Sequence, residues 1–121
     1  MDRVTNAIIK KLEQGTIKKI VLFSDQDVFP EPPYVCVKPE QGILEGTRAY
    51  RIIAHEKQGM FDQLEDYVLI ELDRLLAGTL TDDDGSHYRL RPNGYTDIFP
   101  DREDNTYFME RLYYVPLTIR D

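Results

Sequence analysis

The side chains with the means to do chemistry are two histidines, one cysteine and several runs of acids. His55 stands beside Glu56, a pair that suits zinc, yet no third ligand follows at a metal-like spacing. A strand histidine beside a surface glutamate is the better reading. Asp82, Asp83 and Asp84, followed by Gly85, resemble a calcium loop. Aligning Gly85 with the loop glycine sets Leu80 at the first ligand position and Arg91 at the bidentate one. That match fails and leaves an aspartate-rich turn. Asp101, Glu103 and Asp104 suit the acidic half of a metal-dependent nuclease, which also needs a nearby acid-x-Lys pair. No lysine follows Lys57. Cys36 lies between Val35 and Val37 with no cation to lower its pKa, so it reads as a buried thiol rather than a nucleophile. Gly42 and Gly46 form no phosphate-cradling motif. No catalytic residue, metal site or cofactor is therefore expected.

The elements that must carry these residues follow from periodicity. Val4, Ile8 and Leu12, with Ala7 beside them, form one apolar stripe on a helix. Gly15 stands where a left-handed C-terminal glycine belongs, and Lys10 and Lys11 suit the negative end of the dipole. Residues 17–23 read as a strand, 25–33 (DQDVFPEPP) as an exposed loop and 34–37 as a β-rich run stopped by Pro39. Residues 40–46 look like a hairpin connection. In the next strand, 48–56, Tyr50, Ile52 and Ala54 share one face and Ala49, Arg51, Ile53 and His55 the other.

The clearest helix spans 60–77, where Phe61, Leu64, Val68, Leu72, Leu75 and Leu76 share a stripe and Gly78 supplies a stop. Turns follow at 82–85, 92–94 and 100–105, with short strands between them around 87–90 and 95–99. A long strand over 107–120 closes the chain. It sets Met109, Arg111, Tyr113, Val115, Leu117 and Ile119 on one face and Phe108, Leu112 and Tyr114 on the other. The expected fold is one α+β domain over residues 1–121, an antiparallel sheet packed against one long and one short helix.

Composition narrows the function. The 121 residues carry 15 basic and 22 acidic side chains, a net charge of −7, which argues against gripping nucleic acid by its backbone. One cysteine forbids an intrachain disulfide. No stretch approaches the roughly 18 apolar residues of a membrane span, so no membrane partner is expected. The charge is uneven: every lysine lies at or before Lys57, and acids crowd the second half. Such a subunit can place a basic face against the acidic face of a neighbour, which sets orientation and partner choice. Eight tyrosines add side chains suited to interfaces. The candidate interface residues are Asp25, Asp27, Phe29, Glu31, Arg48, Arg51, Tyr113 and Tyr114. Phe29, in its proline-stiffened acidic loop, inserts either into its own core or into a partner.

The order of elements resembles a family. A short helix over 5–14, a PYV strand (Pro33, Tyr34, Val35), a basic strand over 48–55, a long helix with LEDY (64–67) and a final YYVPLTIR strand (113–120) carry the likeness. The pattern is similar to the small tail-terminator or tail-completion proteins of tailed bacteriophages and prophages. The polar stretch 79–106 departs from it. The resemblance implies a virion tail protein, assembled in the host cytoplasm, that forms a ring, typically a hexamer. That ring ends the tail tube, meets the tube and head-connector proteins, and passes DNA without specific binding. Asp82, Asp83 and Asp84 would then line the channel or lie outside it. A head–tail connector component, or an acidic inhibitor or adaptor for a basic partner, are the alternatives. On this reading, reversing Arg48 or Arg51 to glutamate weakens self-association and leaves the fold intact, which light scattering beside circular dichroism checks.

Overall fold

The computed structural model describes residues 3–23, 30–40, 47–101 and 106–116. The chain runs α1 (Arg3–Leu12), β1 (Ile20–Leu22), β2 (Tyr34–Glu40), β3 (Thr47–Glu56) and α2 (Phe61–Asp66). A π-helical segment (Tyr67–Glu71) joins α2 to α3 (Leu72–Leu76), and β4 (Gly78–Thr81), β5 (His87–Tyr95), β6 (Phe99–Asp101) and β7 (Thr106–Pro116) follow. The sheet order is β1-β2-β3-β7-β5-β4, with β6 also paired to β7. At its centre β3 and β7 pair antiparallel over ten positions, from Thr47 opposite Pro116 to Glu56 opposite Tyr107.

The sheet is mixed and curled. β1 runs parallel to β2, while the other pairs are antiparallel. α1 touches β1 and β2 near one edge and β4 at the other. Outer strands that meet the same helix require the sheet to wrap around it. The result is a half-barrel holding the helices on its concave face, rather than the simple antiparallel sheet that the periodicity suggests. Strand twist supplies the curl.

The concave face carries the main core. Val4, Ala7, Ile8 and Leu12 of α1 and Leu64, Val68, Leu72 and Leu76 of the second helix are buried against Val35, Val37, Tyr50, Ile52, Ala54, Met109, Tyr113 and Val115. These are the faces that the alternation in 48–56 and 107–116 assigns inward. Tyr34, Cys36 and Ile53 form a smaller buried cluster with Val21 and Phe108 on the convex face. Phe61 departs from its stripe: it is 37% exposed and packs edge-on against Tyr107.

Several expectations change. The helix over 61–76 is not uniformly α-helical, because the π segment inserts an extra residue in its middle. Within that segment Ile70 is 63% exposed, and the Glu71 carboxylate accepts hydrogen bonds from the Thr16 backbone N–H at 2.7 Å and its Oγ1 at 2.9 Å. Gly15 is glycine for a different reason than helix ending. Its φ is not left-handed; a Cβ there would lie 2.6 Å from Glu71 Oε2 and 2.7 Å from Leu75 Cδ1. Gly78 does end the helix with φ +106 and opens β4, a strand that the stripe hid. Residues 92–94 are no interstrand turn but a bulge inside β5, with Gly94 at φ +91. The first strand shrinks to three residues, and the end of the 107–120 strand lies partly outside the described residues.

Gly15→Ala is expected to lower the unfolding free energy by about 1–3 kcal/mol, the usual cost of overfilling a packed site. It displaces the Glu71 carboxylate, so Glu71→Ala will cost less in the Gly15→Ala background than alone. Urea unfolding of the two single variants and the double variant checks this. Additive costs would mean that the two residues do not share the site.

Candidate functional site

Four arginines converge at one end of the half-barrel. Arg3 opens α1, Arg48 is the second residue of β3, and Arg89 and Arg91 alternate with buried Leu90 on β5. They line a cavity of about 550 Å³ together with His87 and Val115. Period-2 geometry explains why His87, Arg89 and Arg91 share one face while Tyr88 and Leu90 turn to the core. Arg3 reaches Asp84 at 3.0 Å, and Thr81 Oγ1 lies 2.8 Å from His87 Nδ1. Neither Arg89 nor Arg91 has an ion-pair partner among the described residues, and both are exposed. The cleft can therefore receive an anionic surface without first breaking an ion pair of those two side chains.

The aspartate run borders this cleft as the β4–β5 turn. Asp82 Oδ1 accepts from the backbone N–H of Asp84 at 2.9 Å and of Ser86 at 3.0 Å, and its Oδ2 accepts from the Tyr88 hydroxyl at 2.7 Å. The Tyr88 hydrogen bond in particular holds the Asp82 carboxyl below the usual carboxylate range. Gly85 closes the turn at φ +83. Asp83 pairs with Lys10 and Asp84 with Arg3, so α1 covers this turn with opposite charge. Asp82 is thus the tie of a turn, and its neighbours face lysine and arginine of their own chain. Among the described residues no group of three His, Cys, Asp or Glu side chains is placed to hold a metal ion.

The two halves of the chain are not two electrically separate ends. Arg3–Asp84, Lys10–Asp83 and Arg51–Glu110 all join a cation of the first half to an acid of the second. Folding interleaves the charges that the linear count separates.

The remaining predicted interface residues fall in different places. Asp25, Asp27 and Phe29 lie outside the described residues. Glu31 is exposed, and its backbone carbonyl accepts from Lys19 Nζ at 3.0 Å. Tyr114 is half-buried on the convex face opposite Ala49 and Arg91. Arg48 is exposed in the cleft.

Tyr113 and Arg51 must be reassigned. Tyr113 is fully buried, so it presents nothing to a partner. Its hydroxyl donates to Asp73 Oδ1 at 2.6 Å, beside a two-pronged Arg111 pair at 3.1 and 2.8 Å. This cluster fastens α3 to β7. Burial alone would raise the Asp73 carboxyl, but the Arg111 and Tyr113 hydrogen bonds outweigh it and hold Asp73 below the usual carboxylate range. Burial and the Asp73 hydrogen bond push the Tyr113 phenol up. On the convex face Arg51 donates to both Glu40 oxygens, at 2.7 and 3.2 Å, and to Glu110 at 3.3 Å. The Arg51 hydrogen bond depresses the Glu40 carboxyl. Reversing Arg51 would set a third carboxylate between two others, so a loss of stability is expected beside any effect on self-association.

Alternation alone sets Arg111 on the same face as Met109 and Tyr113, and its partner Asp73 comes from a helix 38 residues away. The alternation of His87, Arg89 and Arg91 was also visible, and its meaning depended on Arg3 and Arg48 arriving from elsewhere.

Arg51→Glu is expected to lower the thermal midpoint, because it replaces the donor to Glu40 and Glu110 with a like charge; thermal unfolding beside the unaltered chain checks this. For Asp73 the folded-state pKa is depressed, so its stabilisation is present above the unfolded value of 3.8 and lost as pH falls through the lower folded value. Asp73→Asn should cost about 1–3 kcal/mol at neutral pH and flatten the acid-side loss of stability. Urea midpoints measured from pH 7 down to about pH 3 test it. An equally steep acid loss in the variant would assign that loss to other carboxylates.

No family model and no curated protein matches the chain. Among solved structures, a chain 13% identical superposes with a TM-score of 0.58, covering 98% of this chain and 94% of its own length. At that identity the similarity is one of fold alone.

Proposed function

We propose that the chain is a structural assembly protein that forms a ring through head-to-tail contacts, in the manner of the tail terminators its element order resembles. The observation that carries this reading is the set of large apolar side chains left in solvent. Phe23, Met60, Phe61, Ile70, Tyr95 and Phe99 are each between 36% and 63% exposed. Aromatic residues and methionine are the types that protein interfaces favour. They fall into separate groups: Phe23 just after β1, Met60, Phe61 and Ile70 at and along the second helix, and Tyr95 and Phe99 on β5 and β6. Unlike patches on one subunit suit a heterologous interface, in which one face meets a different face of the next copy, and such contacts build a ring where the rotation between copies closes.

The resemblance supplies the rest of the proposal: a ring, hexameric by that analogy, at the end of a tail tube and against a head connector. No helix of the described residues is long and apolar enough to cross a membrane. A virion location is part of the proposal.

Light scattering after size exclusion, over a wide range of loading concentrations, tests it. A mass that climbs with concentration to a fixed multiple of the protomer is expected. A single protomer mass throughout would overturn the reading.

A further inference from the structure

The register of β3 gives the molecule two poles. Arg48, the second residue of the strand, lines the arginine cleft, and Glu56 ends the strand beside the turn that leads into α2. At roughly 3.3 Å per residue, Arg48 and Glu56 lie about 26 Å apart. The first turns of the second helix therefore stand at the pole opposite the cleft. There Asp62, Glu65 and Asp66 are exposed, with no ion-pair partner among the described residues. Asp62 and Asp66 are four residues apart on one helical face, a spacing at which like charges repel. Exposed Ile70 continues that face, and exposed Met60 and Phe61 flank its start. Lys57 lies in the preceding turn. One pole is thus acidic around an apolar centre, and the other is a cleft whose Arg89 and Arg91 have no ion-pair partner among the described residues.

We infer that the arginine cleft receives the acidic α2 face of a second copy of this chain, with Arg89 and Arg91 meeting Asp62, Glu65 and Asp66. This inference rests on the ring reading and names the contact that would build the ring. Charge complementarity argues for this occupant. Among the described residues Arg89 and Arg91 have no ion-pair partner and neither do Asp62, Glu65 and Asp66, and the distance between the two poles keeps these groups from pairing with each other inside one chain. A nucleic-acid occupant is less well suited, because Asp82, Asp83 and Asp84 border the cleft and the chain carries a net −7. Complementary charge fixes which faces meet, and Ile70 with its neighbours adds apolar area to be buried.

The test uses two double variants of the full chain, Arg89→Glu with Arg91→Glu and Glu65→Lys with Asp66→Lys. All four positions are exposed, and circular dichroism verifies the fold; Arg89→Gln with Arg91→Gln serves as a milder form. Sedimentation velocity should show each double variant alone associating roughly tenfold or more weakly than the unaltered chain. A 1:1 mixture should recover association, because the intact cleft of one variant meets the intact helix of the other and the two reversed faces are again opposite in charge. Both variants assembling as the unaltered chain does would overturn the contact and leave the ring reading standing. A mixture that stays monomeric would also overturn it. An unaltered chain monomeric at every concentration would remove the ring reading and this contact together.

Discussion

Ten consecutive residue pairs between β3 and β7 set the frame on which the other elements depend. Their alternation decides which side chains enter the concave core and which lie on the convex face. Tyr50, Ile52 and Ala54 meet Met109, Tyr113 and Val115 inside, while Arg51 finds Glu40 and Glu110 outside. Moving the register by one residue would exchange those sets and bury Arg51 under the helices. The same pairing fixes the length of the molecule. It holds Arg48 at one pole and the entry to α2 at the other.

Polar ties keep the helices in that frame. Asp73 binds Arg111 and Tyr113, joining α3 to the central strand, and Glu71 binds Thr16, joining the π segment to the loop after α1. Each is a charge-assisted contact, stronger than a neutral hydrogen bond. On the convex face Tyr34 stacks on His55 at 4.3 Å, His55 meets Phe108 at 5.7 Å and Phe108 meets Phe99 at 5.9 Å. These rings are cross-strand neighbours on β2, β3, β7 and β6, so the ladder follows directly from register.

Much of this was legible locally. The stripe of Val4, Ile8 and Leu12 and the alternation through 48–56 depend on spacing within one element, and both place residues as the folded chain does. What spacing did not carry was anything set by a distant partner. Parallel pairing of β1 and the curl that brings α1 to both edges depend on contacts outside each element, and β4 after Gly78 depends on its hairpin with β5. Gly15 shows the difference most clearly: its position at a helix end suggested backbone conformation, whereas its real constraint is a carboxylate from residue 71. The charge count behaved similarly. Divided at the middle of the chain it suggested two ends, but Arg3, Lys10 and Arg51 are paired with acids from the other half. The polarity that survives folding is between the β5 arginines and the first turns of α2. Neither group is distinguished by its half of the sequence.

The central claim is that unlike poles of one small subunit meet head to tail and close into a ring. Electron microscopy of the concentrated chain tests this most directly, because class averages reveal the symmetry of the assembly. The account predicts closed rings with a central opening and one repeated contact. Particles of two copies related by a two-fold axis, or isolated subunits alone, would contradict it.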